Sequence, residues 1–270
     1  MRSDSADVQR MLADSVNAFT ARASDMARVR EWRGKAPGFD RELWQEMAEL
    51  GWLGLLVPER SGGAALRLAD MAVVAQHLGA QLLPEPLVPC AVLAARVLTA
   101  CENKSLSAEL LSGIASGESI VAVAFQEQAG DLDNPRRQTQ VTLGGDGGVV
   151  LNGSKRFVAG ASAADGFLVS ADTDNGPVLL WLPTQTDGLA LSLETLADGR
   201  FAGALSLSNV SLGDHHILAR GNNAAEALDR AVDAANAIVC AELLGLMGTA
   251  LDMTLEYLRT RVQFGKAIGT

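Results

Sequence analysis

Histidine and cysteine are scarce in this 270-residue sequence, with three of each, and the scarcity removes whole classes of chemistry. Cys90, Cys101 and Cys240 are an odd number, lie in apolar helical text and have no metal-ligand spacing, so they read as buried thiols of a reducing cytoplasm. His215 and His216 are adjacent, and in extended chain neighbours point to opposite sides, so they cannot converge on one metal or proton. His77 stands alone, with no Ser or Cys whose activation the sequence demonstrates. Positive charge is also short: 22 Lys and Arg against 32 Asp and Glu leave a net charge of -10. A field of that sign repels nucleic acid and anionic membrane surfaces. The N-terminus has no apolar signal-peptide stretch, and the most apolar long window, 231–251, is broken by Asp233, Asn236 and Glu242, so no membrane span is expected. No internal repeat and no low-complexity tract is present.

What is present suffices for more than one core. Hydrophobic residues make up 48% and charged residues 20%, an ordinary globular balance, and the length predicts two or three packed units. Residues 6–117 read as helical: Val8, Met11, Leu12, Val16 and Phe19 recur at three- and four-residue steps. A second helix is predicted over 39–50, with Asp40 as N-cap and Gly51 as stop, followed by a loop over 52–65. Helices over 68–82 and 88–101 are separated by Pro84, Pro86 and Pro89, and a shorter one covers 106–116.

At Glu118 the period changes. Short runs rich in Val, Leu, Phe and Ile over 120–125, 138–143, 149–157, 166–171, 178–182 and 203–207 predict an antiparallel barrel or sandwich. The helical period returns at Asn222 and runs to about Thr260, and the final RVQFGKAIGT carries no stop signal, as if cut in mid-element. The domains are therefore placed at 1–117 (helical), 118–218 (β-rich) and 219–270 (helical, truncated), an α+β chain.

Two features invite a functional reading. The stretch Gly144-Gly145-Asp146-Gly147-Gly148 is followed by a strand, whereas a phosphate loop must open a helix, so it reads as a hairpin turn. Glu242 lies in an apolar helix, where burial would raise its pKa and suit proton abstraction; a structural carboxylate reaching solvent is the alternative.

The text Asn152-Gly153-Ser154-Lys155-Arg156-Phe157-Val158-Ala159-Gly160-Ala161, with Ala164-Asp165-Gly166-Phe167-Leu168-Val169 after it, resembles the middle-domain strand pair of acyl-CoA dehydrogenases. Pro58-Glu59, Gly62-Gly63, Leu78-Gly79-Ala80 and the terminal Tyr257 with Arg259-Thr260-Arg261-Val262-Gln263-Phe264-Gly265-Lys266 resemble that family in the same order. The resemblance implies a helical domain, a β-barrel middle domain and the first helices of a C-terminal four-helix bundle, here incomplete. It implies FAD as cofactor, an acyl-CoA thioester as substrate, an electron-transfer flavoprotein as electron acceptor, and a homo- or hetero-oligomer in the cytoplasm. The implied reaction is α,β-dehydrogenation, with a Glu as base and the flavin as hydride acceptor.

Residue by residue, the resemblance assigns the cofactor to Phe125, Ala129, Gly130, Phe157, Val158, Ala159, Arg261 and Phe264, and the substrate to Asp131, Asp233 and Asn236. Phe157 stands where a Trp usually flanks the flavin, and Ala159 where a Thr or Ser donates a hydrogen bond, which a methyl cannot do. Phe125 and Asp131 replace a Thr and a Ser, and an Asp near phosphates repels anions, pointing to an unusual substrate or weakened flavin binding. Asn236 stands where an Arg often holds CoA. Arg261 and Phe264 match positions that reach the flavin of a neighbouring subunit; an exposed helix-end Arg with a core Phe is the alternative. No catalytic base is identified: one family position for it is Ala235 here, Glu242 lies seven residues on, and most members place it beyond the residues present. Three readings follow: an incomplete dehydrogenase inactive alone, a non-catalytic subunit of a heteromer, and a flavin oxidase or monooxygenase on the same fold.

Overall fold

A computed structural model describes residues 5–23, 26–129, 138–144 and 148–269. The helical part opens with α1 (Ser5–Ala23), α2 (Met26–Trp32) and α3 (Arg41–Glu49). Helix α3 begins where expected: the Asp40 side chain accepts the Glu42 N–H, and Gly51 follows the helix at φ 80°. The segment 52–65 expected as a loop is irregular but not a surface loop. Trp52, Leu53 and Val57 are wholly buried, and the stretch folds on itself through Ala64 N–H to Gly54 O and Leu66 N–H to Leu55 O bonds. Apolar content there outweighed the loop signals of its glycines and proline.

Helix α4 (Leu68–Ala80) precedes the proline cluster. A π-helical stretch, Leu87–Leu93, then runs directly into α5 (Ala94–Ala100), and α6 (Lys104–Ser116) ends at Gly117, φ 76°. These helices share one buried cluster that includes Trp44, Trp52, Met71, Val97, Leu98 and Ile114.

The β part contains β1 (Val121–Ala124), β2 (Gln140–Leu143), β3 (Gly148–Ala159), β4 (Gly166–Thr173), β5 (Gly176–Pro183), β6 (Leu189–Thr195), β7 (Phe201–Gly213) and β8 (Ile217–Arg220). Their order is β6-β7-β3-β2-β4-β5-β8, with β1 on β4. The antiparallel expectation needs one correction: β1 and β2 pair with β4 in parallel, although the other ladders are antiparallel. Strands β6 and β8 have no counterpart in the sequence reading. β6 is a largely exposed edge strand whose Leu189, Leu191 and Leu193 share one parity, and β8 is four residues between a histidine pair and a helix.

Strand β4 explains how the two parts meet. Phe167, Val169 and Ala171 face a second buried cluster inside the sheet, while Leu168 joins the helical cluster, so both faces are covered and the strand reads as a continuous apolar run. The Gly-rich turn behaves as expected, with Gly144 N–H bonded to Gly148 O between antiparallel β2 and β3; residues 145–147 lie outside the described ones.

One 40-residue helix, α7 (Gly221–Thr260), follows, about 60 Å long at 1.5 Å per residue. Its first part buries Ala224, Ala227, Leu228, Ala231, Ala234, Ala235 and Ile238, and it packs along α4, α5 and β5. By length and apolarity alone it is long enough to cross a membrane, and 17% of its most apolar window is buried inside the structure. A hairpin of β9 (Val262–Gln263) and β10 (Lys266–Ala267) folds back onto it, with Gly269 N–H bonded to Leu258 O. Seven α-helices and a mainly antiparallel sheet thus make an α+β chain among the described residues.

Candidate functional site

Two segments far apart in sequence meet at the end of β3. The chain leaving β1 passes over β3 so that Arg156 N–H donates to Gln126 O at 2.9 Å. Directly beyond, the register of β3 on β7 skips from Lys155 to Val158, a bulge that takes Arg156 and Phe157 out of the ladder. Phe157 adopts φ 56°, a left-handed conformation costly for a bulky residue, and such strain gathers at ligand sites. Its half-buried ring has the Arg156 guanidinium 5.2 Å from its centroid, and Arg156 pairs with Glu194 at 2.6 Å.

Ala129 and Ala159 are exposed, and Phe125 is half-buried. Gly160 turns the chain at φ 79°, and a Cβ there would lie 2.4 Å from the Cys90 sulfur, so the turn is packed hard against the π-helical stretch.

The predicted residues lie in several separate places. Phe157 and Ala159 belong to the bulged end of β3, and Phe125 and Ala129 to the segment whose Gln126 O accepts from Arg156 N–H. Val158 is beside them, but its side chain is 1% exposed in the sheet core, leaving only its backbone for a ligand. Gly130 and Asp131 lie outside the described residues. Asp233 and Asn236 are exposed on α7, in the half that packs on the fold. Arg261 caps the far end of α7 and Phe264 is fully exposed in the hairpin, which overturns the alternative of a core phenylalanine. Two hollows lie nearby, one of about 510 Å³ lined by Pro37, Arg41, Ala161, Asp165 and Thr184, another of about 310 Å³ over Ser154, Arg156 and Leu191. Neither contains Phe157 or Ala159.

Glu242 is half-buried; burial raises its pKa, partly offset by the Arg200 charge. Its main chain lies at the crossing with α4, where a Cβ on Gly79 would sit 2.2 Å from Glu242 O. Burial pushes the Cys101 thiol up to about 12 and the Cys90 thiol higher still, as expected of inert buried thiols. Cys240 corrects the expectation for it, since it is exposed on α7.

One pair escaped the sequence reading. Lys155, wholly buried, meets Glu127 at 2.6 Å. Burial tends to raise the Glu127 pKa, but the Lys155 hydrogen bond and charge, the Gln138 N–H and the Thr139 side chain outweigh it and hold the carboxyl below its ordinary value. A signal existed: strand parity puts Lys155 on the face of Val149 and Leu151, and an inward lysine requires a partner.

Residues 6–118 match the family model described as acyl-CoA dehydrogenase, N-terminal domain. Acyl-CoA dehydrogenase FadE27 of Mycobacterium tuberculosis is 30% identical over 233 residues, covering 86% of this chain and 60% of that protein. Acyl-CoA dehydrogenase IpdE2 of Mycolicibacterium smegmatis is 28% identical over 263 residues, covering 96% and 67% respectively. The chain also superposes on a chain of the ChsE4-ChsE5 complex from Mycobacterium tuberculosis with a TM-score of 0.87 at 26% identity, covering 100% of this chain and 71% of that one. It therefore spans about 60% of the length of the first of these relatives and 67% of the second.

Proposed function

The chain belongs to the acyl-CoA dehydrogenase family, and from that premise we propose that it binds FAD where residues 125–129 meet Phe157–Ala159 and serves the α,β-dehydrogenation of an acyl-CoA thioester. The observation that carries the reading is the bulge at Arg156 and Phe157, which presents a strained aromatic beside the segment after β1. The residues there fit the flat ring of a flavin: one aromatic edge and two alanine methyls, with no bulky side chain on Ala129 or Ala159 to fill the space. A bound flavin supplies the hydride acceptor of this chemistry.

Phe157 and Phe125 bind and orient the ring by apolar contact and exclude water from it. Ala159 offers no side-chain donor, so polar contact with the ring falls to backbone N–H groups. Asn236 can donate its amide to the CoA portion, and Asp233 repels phosphate, which confines the anionic end of the ligand away from that turn of α7. Arg261 and Phe264, exposed at the far end of α7, are assigned to the cofactor of a second chain, where a guanidinium supplies the cation that an overall -10 charge requires.

The proton-abstracting carboxylate is assigned to residues outside these 270, in keeping with a chain that spans 60% of the length of FadE27. A homologous partner subunit is the second reading, favoured by the exposed Leu243, Leu244, Met247 and Leu251 on α7 and by likeness to a protein solved as a two-component complex. Electrons pass onward to an electron-transfer flavoprotein in a reducing cytoplasm. The test is purification with added FAD, recording of the flavin visible spectrum, and anaerobic addition of acyl-CoAs with and without co-expressed homologues. Retained yellow colour with bleaching only in the co-expressed sample supports the reading. A protein that takes up no FAD refutes it, and bleaching by the chain alone refutes the external base.

A further inference from the structure

We infer that the buried Glu127–Lys155 pair is a clamp that positions residues 125–129 against β3, and so sets the shape of the proposed flavin surface. The inference rests on the flavin reading of this surface and names the residues that hold it in shape without touching the ligand.

The geometry of the pair separates it from ordinary core filling. Lys155 Nζ donates to Glu127 Oε1 at 2.6 Å and lies 3.4 Å from Ser170 Oγ and 3.5 Å from Phe125 O. Glu127 uses both oxygens on the main chain across from it, Oε2 accepting from Gln138 N–H at 2.5 Å and Oε1 from Thr139 N–H at 3.0 Å. One side chain thus ties the chain leaving β1 to the chain entering β2, and its cation comes from the strand carrying Phe157. The next residue of β3, Arg156, holds the same segment through Gln126 O, and the residue after that is Phe157 itself.

An apolar pair of similar volume would fill this space, and replacing buried ion pairs in that way often costs little stability. It would not supply the directional bonds to Phe125 O, Gln138 N–H and Thr139 N–H that define where the segment starts and returns. Glu127 and Lys155 are positioning residues. Slack between them passes through the Gln126–Arg156 bond to the strained Phe157, two residues from Lys155.

The test uses Glu127→Gln, which keeps shape and removes charge, and Glu127→Asp, which keeps charge and shortens the reach for use if the first fails to fold. FAD affinity is read by flavin fluorescence titration, and hydrogen exchange is followed at the amides of Gln138 and Thr139, with far-UV circular dichroism as the check on folding. The expected result is folded protein with faster exchange at both amides and FAD binding weakened by roughly tenfold or more. Arg230→Ala, which breaks an exposed i,i+4 pair on α7, should leave both readings unchanged. Folded variants that bind FAD as tightly as the unmodified protein overturn the inference, even if exchange quickens, because the pair is then only structural. An unmodified protein that takes up no FAD overturns the flavin reading instead, and the inference with it.

Discussion

The crossing of α4 and α7 is set by two glycines, and Gly245→Ala tests it. A Cβ on Gly245 would lie 1.8 Å from Gln76 O and 2.9 Å from Ala80 N, and one on Gly79 would lie 2.2 Å from Glu242 O. These obstacles are main chain, so no rotamer change relieves them, and restoring ordinary contact requires the helices to part by more than about 1 Å. Overpacking of this kind costs about 1–3 kcal/mol, and occasionally more, while the better helix propensity of Ala returns up to about 1 kcal/mol. A net loss of about 2 kcal/mol is expected. Gly248 is the internal control: it sits on the same helix with nothing within 4 Å of its would-be Cβ, so Gly248→Ala should gain up to about 1 kcal/mol. Urea denaturation followed by circular dichroism reads both, and the loss at Gly245 corresponds to a fall of roughly 4–8 °C in Tm. If Gly245→Ala is as stable as Gly248→Ala, the close approach of these helices is not what the structure depicts, and the placement of α7 against α4 falls with it.

Two further outcomes follow from the burial of single groups. Glu242 has its pKa raised in the fold, so the folded state holds a proton that the unfolded state has released. Stability should therefore decline as pH rises from the ordinary carboxylate range through the folded value. Glu242→Gln should remove that part of the slope in melting temperature against pH and gain most at the alkaline end; an unchanged slope would contradict the assignment. Of the three thiols, Cys240 should react with a thiol reagent in native protein, and Cys90 and Cys101 only after denaturant is added. Counting modified thiols by mass spectrometry checks this, and native labelling of Cys90 would mean the turn at Gly160 is not packed against it.

Much of the architecture was legible because it is written in short-range pattern. The cap at Asp40, the stop at Gly51, the proline break before Leu87 and the hairpin at Gly144 each depend on a few neighbouring residues, and each stands where those residues put it. Resemblance named Phe125, Ala129, Phe157 and Ala159, and the Arg156–Gln126 bond sets their two segments side by side. Sequence did not reveal that Val158 turns inward, that Phe264 is bare, or that Cys240 faces out, because exposure depends on which elements arrive from far along the chain. The parallel pairing of β1 and β2 with β4 is a long-range choice of register that periodicity does not encode.

By itself the sequence determined the succession of helical, strand and helical text, and it carried Lys155 on an inward parity of β3 without naming its partner. Which carboxylate answered it was decided only when residues 28 positions apart were folded against each other, because electrostatic partnership inside a core is a matter of distance in space and not along the chain.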